Sequence, residues 1–583
     1  MAAIQDLGEV IREIIKISGS TSPCQDCSAG SHGWEGILKS FSKNIAKTGA
    51  GGSEIRTGSY AAEKPVLFAK LLYPFVSAGE EALTKKMKSC RLCGTALEGA
   101  KKLLLETLSM ISQNVFFHEF SGIDPLYKYK STFDLLIEDN LKEKNTNISR
   151  DKYNSYIQSM LSGGYIDFFV KYPVLARFMA TATLQWVDFV SEFFAALERD
   201  RHEIAMYFFN NEEISASSIT VSFDGANIFQ CFNAVIEFEN NKVIYKPRNM
   251  HIDESFYQLI QWLNRRTGGA RLKAVKVFSR DNYGWAEYAG YFQCETEEQV
   301  RNFYKRSGML LGILYVFGSI DMHYRNLITS GEYPVLIDLE GLAGTKDDWD
   351  VPDNFFLPAS FINRNGLQVS YNALAAETVT ETYEKNKIWS NINTDSMRLE
   401  YGHLPESPKS LVKLNGKKVF SYNYSDQVLD GFSTIYSFIM NNGSEFLAKV
   451  RQLFQKDKVR FFFRNHYPIN NFLQPGYLKS ANGKNPLIEK LAGSLAAKFE
   501  QSVPRRVTEY EYESLCWLTI PRFYISMADG RFESIEDLSV ADLARCIPFA
   551  SIEKKVKSLG RQDYQKQCRI IENVFTAYRN YYE

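Results

Sequence analysis

The sequence predicts an α+β chain with a mainly helical N-terminal region, and three observations predict it. Apolar residues recur at helical offsets through roughly the first two hundred positions. Strand-like runs then alternate about a polar turn between Ile219 and Lys246, and a long apolar helical stretch follows at Ser307 to Ile320. The chain has 583 residues, 45% of them hydrophobic, enough core for two to four domains. Its 68 basic residues equal its 68 acidic ones, so nothing at chain level implies a nucleic acid partner. The stretch from Ser307 to Ile320 is too short for a membrane span and reads as a buried helix. Met-Ala-Ala-Ile-Gln-Asp at the start lacks a secretory pattern, so a cytoplasmic location is expected.

Taken in order, residues 18–60 are rich in Ser and Gly and read as a loop around Cys24-Gln-Asp-Cys27. A second C-x2-C pair follows at Cys90 and Cys93. The four thiols can form a tetrahedral zinc site, although the gap between the pairs is longer than in the usual ribbon; the alternative is two separate pairs of reduced thiols. The other five cysteines are scattered and read as packing residues. Leu103, Leu104, Leu108 and Ile111, then Leu175, Phe178, Met179, Ala182 and Trp186, have helical spacing. Ile219–Phe223, Cys231–Phe238 and Val243–Lys246 form an expected three-stranded meander, with Asp224 and Gly225 in the first connection. Phe256, Leu259, Ile260 and Leu263 mark an amphipathic helix. Residues 344–430 are polar, aromatic and poorly periodic, an expected substrate-facing insertion or activation-type loop; helices are expected again from about Phe432, including Leu453–Phe463 and Ile488–Phe499. The division expected is a helical region over 1–205, a sheet-bearing lobe over 206–305 and a helical lobe over 306–583.

Three segments carry the chemistry: Val243-Ile-Tyr-Lys246-Pro-Arg248, Asp321-Met-His323-Tyr-Arg-Asn326 and Val335-Leu-Ile-Asp338-Leu-Glu340-Gly341. A lysine closes a strand, an Asp-x4-Asn loop follows a long helix, and a second aspartate ends an apolar strand. Protein kinases use these parts in this order, which predicts a kinase-like bilobal fold. Lys246 would bind nucleotide phosphates, with Asp224 and Gly225 in the phosphate-loop position. Asn326 and Asp338 offer hard oxygen ligands for Mg2+, and Asp321 can receive the proton of a hydroxyl acceptor. Glu340, two residues beyond Asp338 on an expected alternating strand, would face the same way and assist the metal. Taken singly, each segment also reads as a strand end, a cap or a turn.

Alongside Lys171-Tyr-Pro-Val-Leu-Ala-Arg177, Trp186, Asp200 and Tyr283-Gly-Trp285-Ala-Glu287, these segments make the chain resemble the dehydratase portion of class II lanthipeptide synthetases, the LanM type. That resemblance implies a lipid-kinase-like fold, ATP and Mg2+ as cofactors, and a ribosomal precursor peptide whose Ser and Thr are phosphorylated and then lose phosphate. It assigns Lys246, Asp321, His323, Asn326, Asp338 and Glu340 to phosphorylation, Asp224 to an active-site loop, and Arg460 with the position of His466 to elimination. Three departures concern the second half-reaction: Asp224-Gly-Ala226 replaces an Asp-x-His, His466 replaces a threonine, and Leu518-Thr519-Ile520-Pro521 replaces Gly-Asp-Ile-Pro. Arg460 and Arg464 remain as phosphate-binding cations, and His466 offers a titratable ring. The expectation is therefore phosphorylation with slow or absent elimination. A kinase releasing a phosphorylated peptide or small molecule, and an inactive kinase-fold scaffold, stand as alternatives. No zinc-cyclase pattern follows, so ring closure would fall to a separate cyclase.

Overall fold

The computed structural model describes residues 33–50, 65–87, 94–122, 149–210, 219–224, 232–238, 241–360, 362–364, 367–379, 385–403, 408–464, 473–479, 504–535, 538–543 and 545–583. Cys24, Cys27, Cys90, Cys93, Gly225, Ala226, His466 and the segment 488–499 lie outside them.

Among the described residues six α-helices come first: α1 (Gly33–Ala50), α2 (Ala69–Lys86), α3 (Gly94–Ser121), α4 (Asp151–Ser159), α5 (Tyr165–Lys171) and α6 (Pro173–Phe208). Helix α1 corrects the expected loop over residues 18–60. Trp34, Ile37, Leu38 and Phe41 lie at helical offsets and are all buried, so packing of one apolar face outweighs the surrounding Ser and Gly.

Strands β1 (Ile219–Asp224), β2 (Asn233–Phe238) and β3 (Asn241–Lys246) follow, the meander expected from the alternation. After helix α7 (His251–Arg266), β4 (Val277–Ser279) and β5 (Gly284–Glu287) extend it to five antiparallel strands in the order β1-β2-β3-β5-β4. Val221, Ala234, Ile236, Val243, Tyr245 and Trp285 belong to the same core as the N-terminal helices. Val277 and Ala286 join the other large core, with α7. Asp200 of α6, fully buried, fixes the junction: it accepts from Tyr283 Oη and Trp285 Nε1, each at 2.8 Å, and from Arg280 Nη2 at 2.9 Å. Two of the quoted sequence segments thus meet across 85 residues.

Helix α8 (Glu297–Phe317) opens on a Thr296 cap and is almost wholly buried beyond Arg306. The hairpin β6 (Leu327–Ser330) and β7 (Tyr333–Leu336) comes next. The poorly periodic stretch contains three small hairpins, β8 (Ile362–Arg364) with β9 (Leu367–Val369), β10 (Lys385–Ser390) with β11 (Arg398–His403), and β12 (Lys413–Leu414) with β13 (Lys417–Lys418). Helices resume at α9 (Ser425–Asn441) and α10 (Gly443–Phe454). The expected helix over Leu453–Phe463 is not formed: α10 ends at Phe454, and Lys458–Phe461 is β14, paired antiparallel with β15 (Phe523–Ser526). Helix α11 (Arg505–Cys516) precedes β15, and α12 (Pro548–Ser558) and α13 (Arg561–Tyr582) close the described chain. Helices α8 and α9 cross with backbones nearly touching; a Cβ on Gly431 would lie 1.8 Å from the Lys305 carbonyl oxygen, and one on Gly308 2.0 Å from that of Val428. The architecture is α+β, dominated by helices, with one five-stranded sheet and several two-stranded ribbons. Among the described residues no helix is long and apolar enough to cross a membrane.

Candidate functional site

Helix α8 ends at Gly318, whose φ of +62° terminates it in the left-handed region. The chain then enters Asp321, itself at φ +66°, a conformation Asp adopts more readily than bulkier residues. Asn326 steadies this loop by donating from Nδ2 to the Asp321 carbonyl at 2.8 Å, which leaves its side-chain oxygen as the remaining acceptor. Arg325 N–H donates to His323 Nδ1 at 3.2 Å, and His323 Nε2 lies 3.6 Å from Asp321 Oδ1. The loop is laced to the segment after β7: Ile337 N–H donates to the Asn326 carbonyl at 3.0 Å and Ile320 N–H to that of Gly341 at 2.8 Å. A Cβ on Gly341 would sit 2.6 Å from the Ile320 oxygen, so this approach needs glycine.

Lys246, the last residue of β3, donates from Nζ to the Ile337 carbonyl. That places its ammonium beside Asp338. Burial, with Arg248 nearby, holds its pKa below the usual lysine value, against the pull of Asp253, Asp338 and Glu340. Burial also raises the Asp321 carboxyl, with Asp338 and Glu340 adding to the rise and His323 and Arg460 opposing it. Lys246, Asp321, His323, Asn326, Asp338, Glu340 and Arg460 are therefore drawn into one place. Asp224 ends β1 opposite Asn233.

Glu340 differs from its sequence reading. Strand β7 stops at Leu336, so Glu340 lies in the turn beyond it rather than on an alternating strand. Its carboxylate is only 5% exposed, whereas that of Asp338 is 42% exposed. Glu340 Oε2 lies 3.4 Å from Arg460 Nη1, Oε1 accepts from Tyr524 Oη, and Oε1 is 3.7 Å from Arg248 Nε. The Arg460 N–H also donates to the Glu340 carbonyl at 2.7 Å, so the β14–β15 ribbon is pinned to the metal-loop candidate. Arg464, read as a second phosphate cation, instead makes a two-point ion pair with Glu511, both bonds 2.8 Å, and Glu511 is fully buried.

Sequence reasoning passed over three participants. Arg248 grips Asp253 of α7 through Nη1–Oδ2 at 2.7 Å and Nη2–Oδ1 at 3.1 Å, with Asp338 Oδ1 3.5 Å from Nη2. Tyr524 is the third. The available signals were an arginine two residues past the strand lysine and an Asp on the apolar side of an otherwise amphipathic helix.

Among the described residues no three His, Cys, Asp or Glu side chains form a ready-made metal cage. That suits magnesium at a phosphoryl-transfer centre, which is held by one or two carboxylates plus substrate phosphates and water. The open Asp338 carboxylate and the Asn326 amide oxygen fit such a set; the enclosed Glu340 is bonded mainly to cations and a phenol.

Residues 172–526, which contain every one of these groups, match the family described as Domain of unknown function (DUF4135). The chain belongs to this family. It is also similar to the lacticin 481/lactococcin biosynthesis protein LcnDR2 of Lactococcus lactis subsp. lactis, at 21% identity over 471 residues, covering 74% of this chain. The chain spans about half, 49%, of that relative's length. The LanM-type likeness read from the motifs is borne out by these two matches.

Proposed function

We propose that the chain is an ATP- and Mg2+-dependent phosphotransferase of kinase-like bilobal architecture that phosphorylates Ser or Thr in a ribosomal precursor peptide, as in lanthipeptide maturation. The observation that carries this is the seating of Lys246 on the carbonyl of Ile337, with the Asp321–Asn326 loop bonded to the same short segment. In it, Lys246 holds nucleotide phosphate as a point charge. Asp338 and the Asn326 oxygen hold magnesium, leaving Asp321 to orient the acceptor hydroxyl and take its proton. The magnesium nucleotide supplies the transferred phosphoryl group and neutralises its charge when bound. Burial raises the Asp321 carboxyl, and His323 beside it opposes that rise.

A second reading, release of the phosphorylated acceptor without elimination, has one observation in its favour. Arg464 makes a two-point pair with buried Glu511 at 2.8 Å, whereas Arg460 meets Glu340 only at 3.4 Å, so Arg460 is the more readily released of the two to a departing phosphate. Mass spectrometry of precursor peptides incubated with ATP and magnesium separates the outcomes: phosphate gain, water loss, or no change. Lys246→Ala and Asp338→Asn are expected to abolish phosphate gain in a folded chain; normal turnover in either overturns the phosphotransfer reading.

A further inference from the structure

In protein kinases the strand lysine pairs with an acidic residue on the helix that follows, and that pair must form for activity. Here Lys246 is turned to the Ile337 carbonyl, and Asp253, one of the two acidic residues of α7, is taken by Arg248. We infer that Arg248 is a positioning residue that couples helix α7 to the metal-binding loop and serves as the resting counter-ion of Asp338. This rests on the phosphotransfer reading above.

The geometry carries it in three steps. First, one guanidinium serves three carboxylates from two parts of the chain: Asp253 at 2.7 Å, Asp338 at 3.5 Å and Glu340 at 3.7 Å. A planar fork presents five donors in fixed directions, a geometry that an ammonium with three freely rotating donors lacks. Second, the contacts differ in grip. The side chains of Asp253 and Glu340 are 3% and 5% exposed, so Arg248, itself 10% exposed, is held between buried anions that cannot be left unpaired. Asp338 is 42% exposed, with its contact at 3.5 Å against 2.7 Å for Asp253, so a divalent cation can draw it away while the two buried partners keep Arg248 in place. Third, the coupling runs on through Glu340, which also meets Arg460 and Tyr524 of the β14–β15 ribbon. A displacement of α7 would therefore move the residues that face the metal.

The test uses the full chain and Mn2+ with ADP, followed by electron paramagnetic resonance, with hydrogen exchange over residues 251–266. Arg248→Lys retains the charge and loses the fork; Asp253→Asn retains the shape and loses the anion. Each is expected to weaken Mn2+ binding about 10-fold or more, as loss of a residue supporting a metal ligand does, and to speed exchange in α7. The double variant should be no weaker than the worse single one, because the pair acts as a unit. Folding is checked by circular dichroism, and if Arg248→Lys fails to fold, the isosteric Asp253→Asn carries the test. Wild-type Mn2+ affinity in a folded single variant, or additive losses in the double, overturns the inference. Absence of Mn2+–ADP binding to the unaltered chain overturns the phosphotransfer reading itself, and the coupling with it.

Discussion

Replacing Asp457 with Asn should stabilise the protein at pH 8, an advantage that is lost by about pH 4. Asp457 lies in the turn between α10 and β14, 5% exposed, and among the described residues its Oδ2 has no hydrogen-bond partner. The groups facing it from α7 are Ser255, His251, Glu254 and Asp253. Burial pushes its carboxyl from 3.8 to about 6; Ser255 and His251 oppose the rise, and Glu254 and Asp253 add to it. The sign follows from linkage. Below 3.8 the group is protonated in both states and costs nothing; as pH rises to about 6 the unfolded chain ionises freely while the folded one resists, and stability is lost until the folded group has titrated. The full loss is about 3 kcal/mol above pH 6. An Asn amide would leave a buried donor short of a partner at a cost of about 1 kcal/mol, so the net gain at pH 8 is about 2 kcal/mol. At roughly 2 °C per kcal/mol for a large domain, Tm should rise about 4 °C at pH 8, with the difference vanishing or reversing by pH 4. Differential scanning calorimetry of both proteins across this range measures it. A Tm difference of the same size at every pH would refute the assignment of a raised, buried carboxyl to Asp457.

Gly431→Ala should destabilise by about 3 kcal/mol or more, because the added carbon meets helix backbone at 1.8 Å and cannot be accommodated by a side-chain shift. Gly268→Ala, with nothing within 4 Å, should be near neutral; equal Tm values for the two variants would count against the close α8–α9 crossing. Leu518 adopts φ +53° where LanM-type sequences tend to have glycine, and its side chain is 2% exposed. Leu518→Gly and Leu518→Ala lose the same packing, but only glycine relieves a left-handed backbone worth about 1–2 kcal/mol. The glycine variant should therefore melt at or above the alanine variant, the reverse of the ordinary order; the ordinary order would show that the backbone is not held there.

Sequence alone was enough for features whose cause is local. Lys246 closes a β-branched alternating strand, Asp321 and Asn326 follow a helix stopped by Gly318, and Asp338 follows a short apolar strand; residue type and spacing suffice for each because the physics spans a few residues. Local cues failed where a short apolar run fits two periods. Leu453 to Phe463 read as helix, yet Lys458–Phe461 forms β14 because β15, over sixty residues later, supplies its partner. A Ser- and Gly-rich composition likewise hid helix α1, whose apolar stripe of Trp34, Ile37, Leu38 and Phe41 gains its stability from packing on other helices. What surrounds the candidate site residues was decided only in three dimensions. Tyr524 reaches Glu340 across 184 residues and Arg460 reaches it across 120. Arg464 is claimed by Glu511 rather than left for phosphate. A buried ion pair is chosen by which opposite charge lies within a few ångströms once water is excluded, and no spacing along the chain encodes that distance.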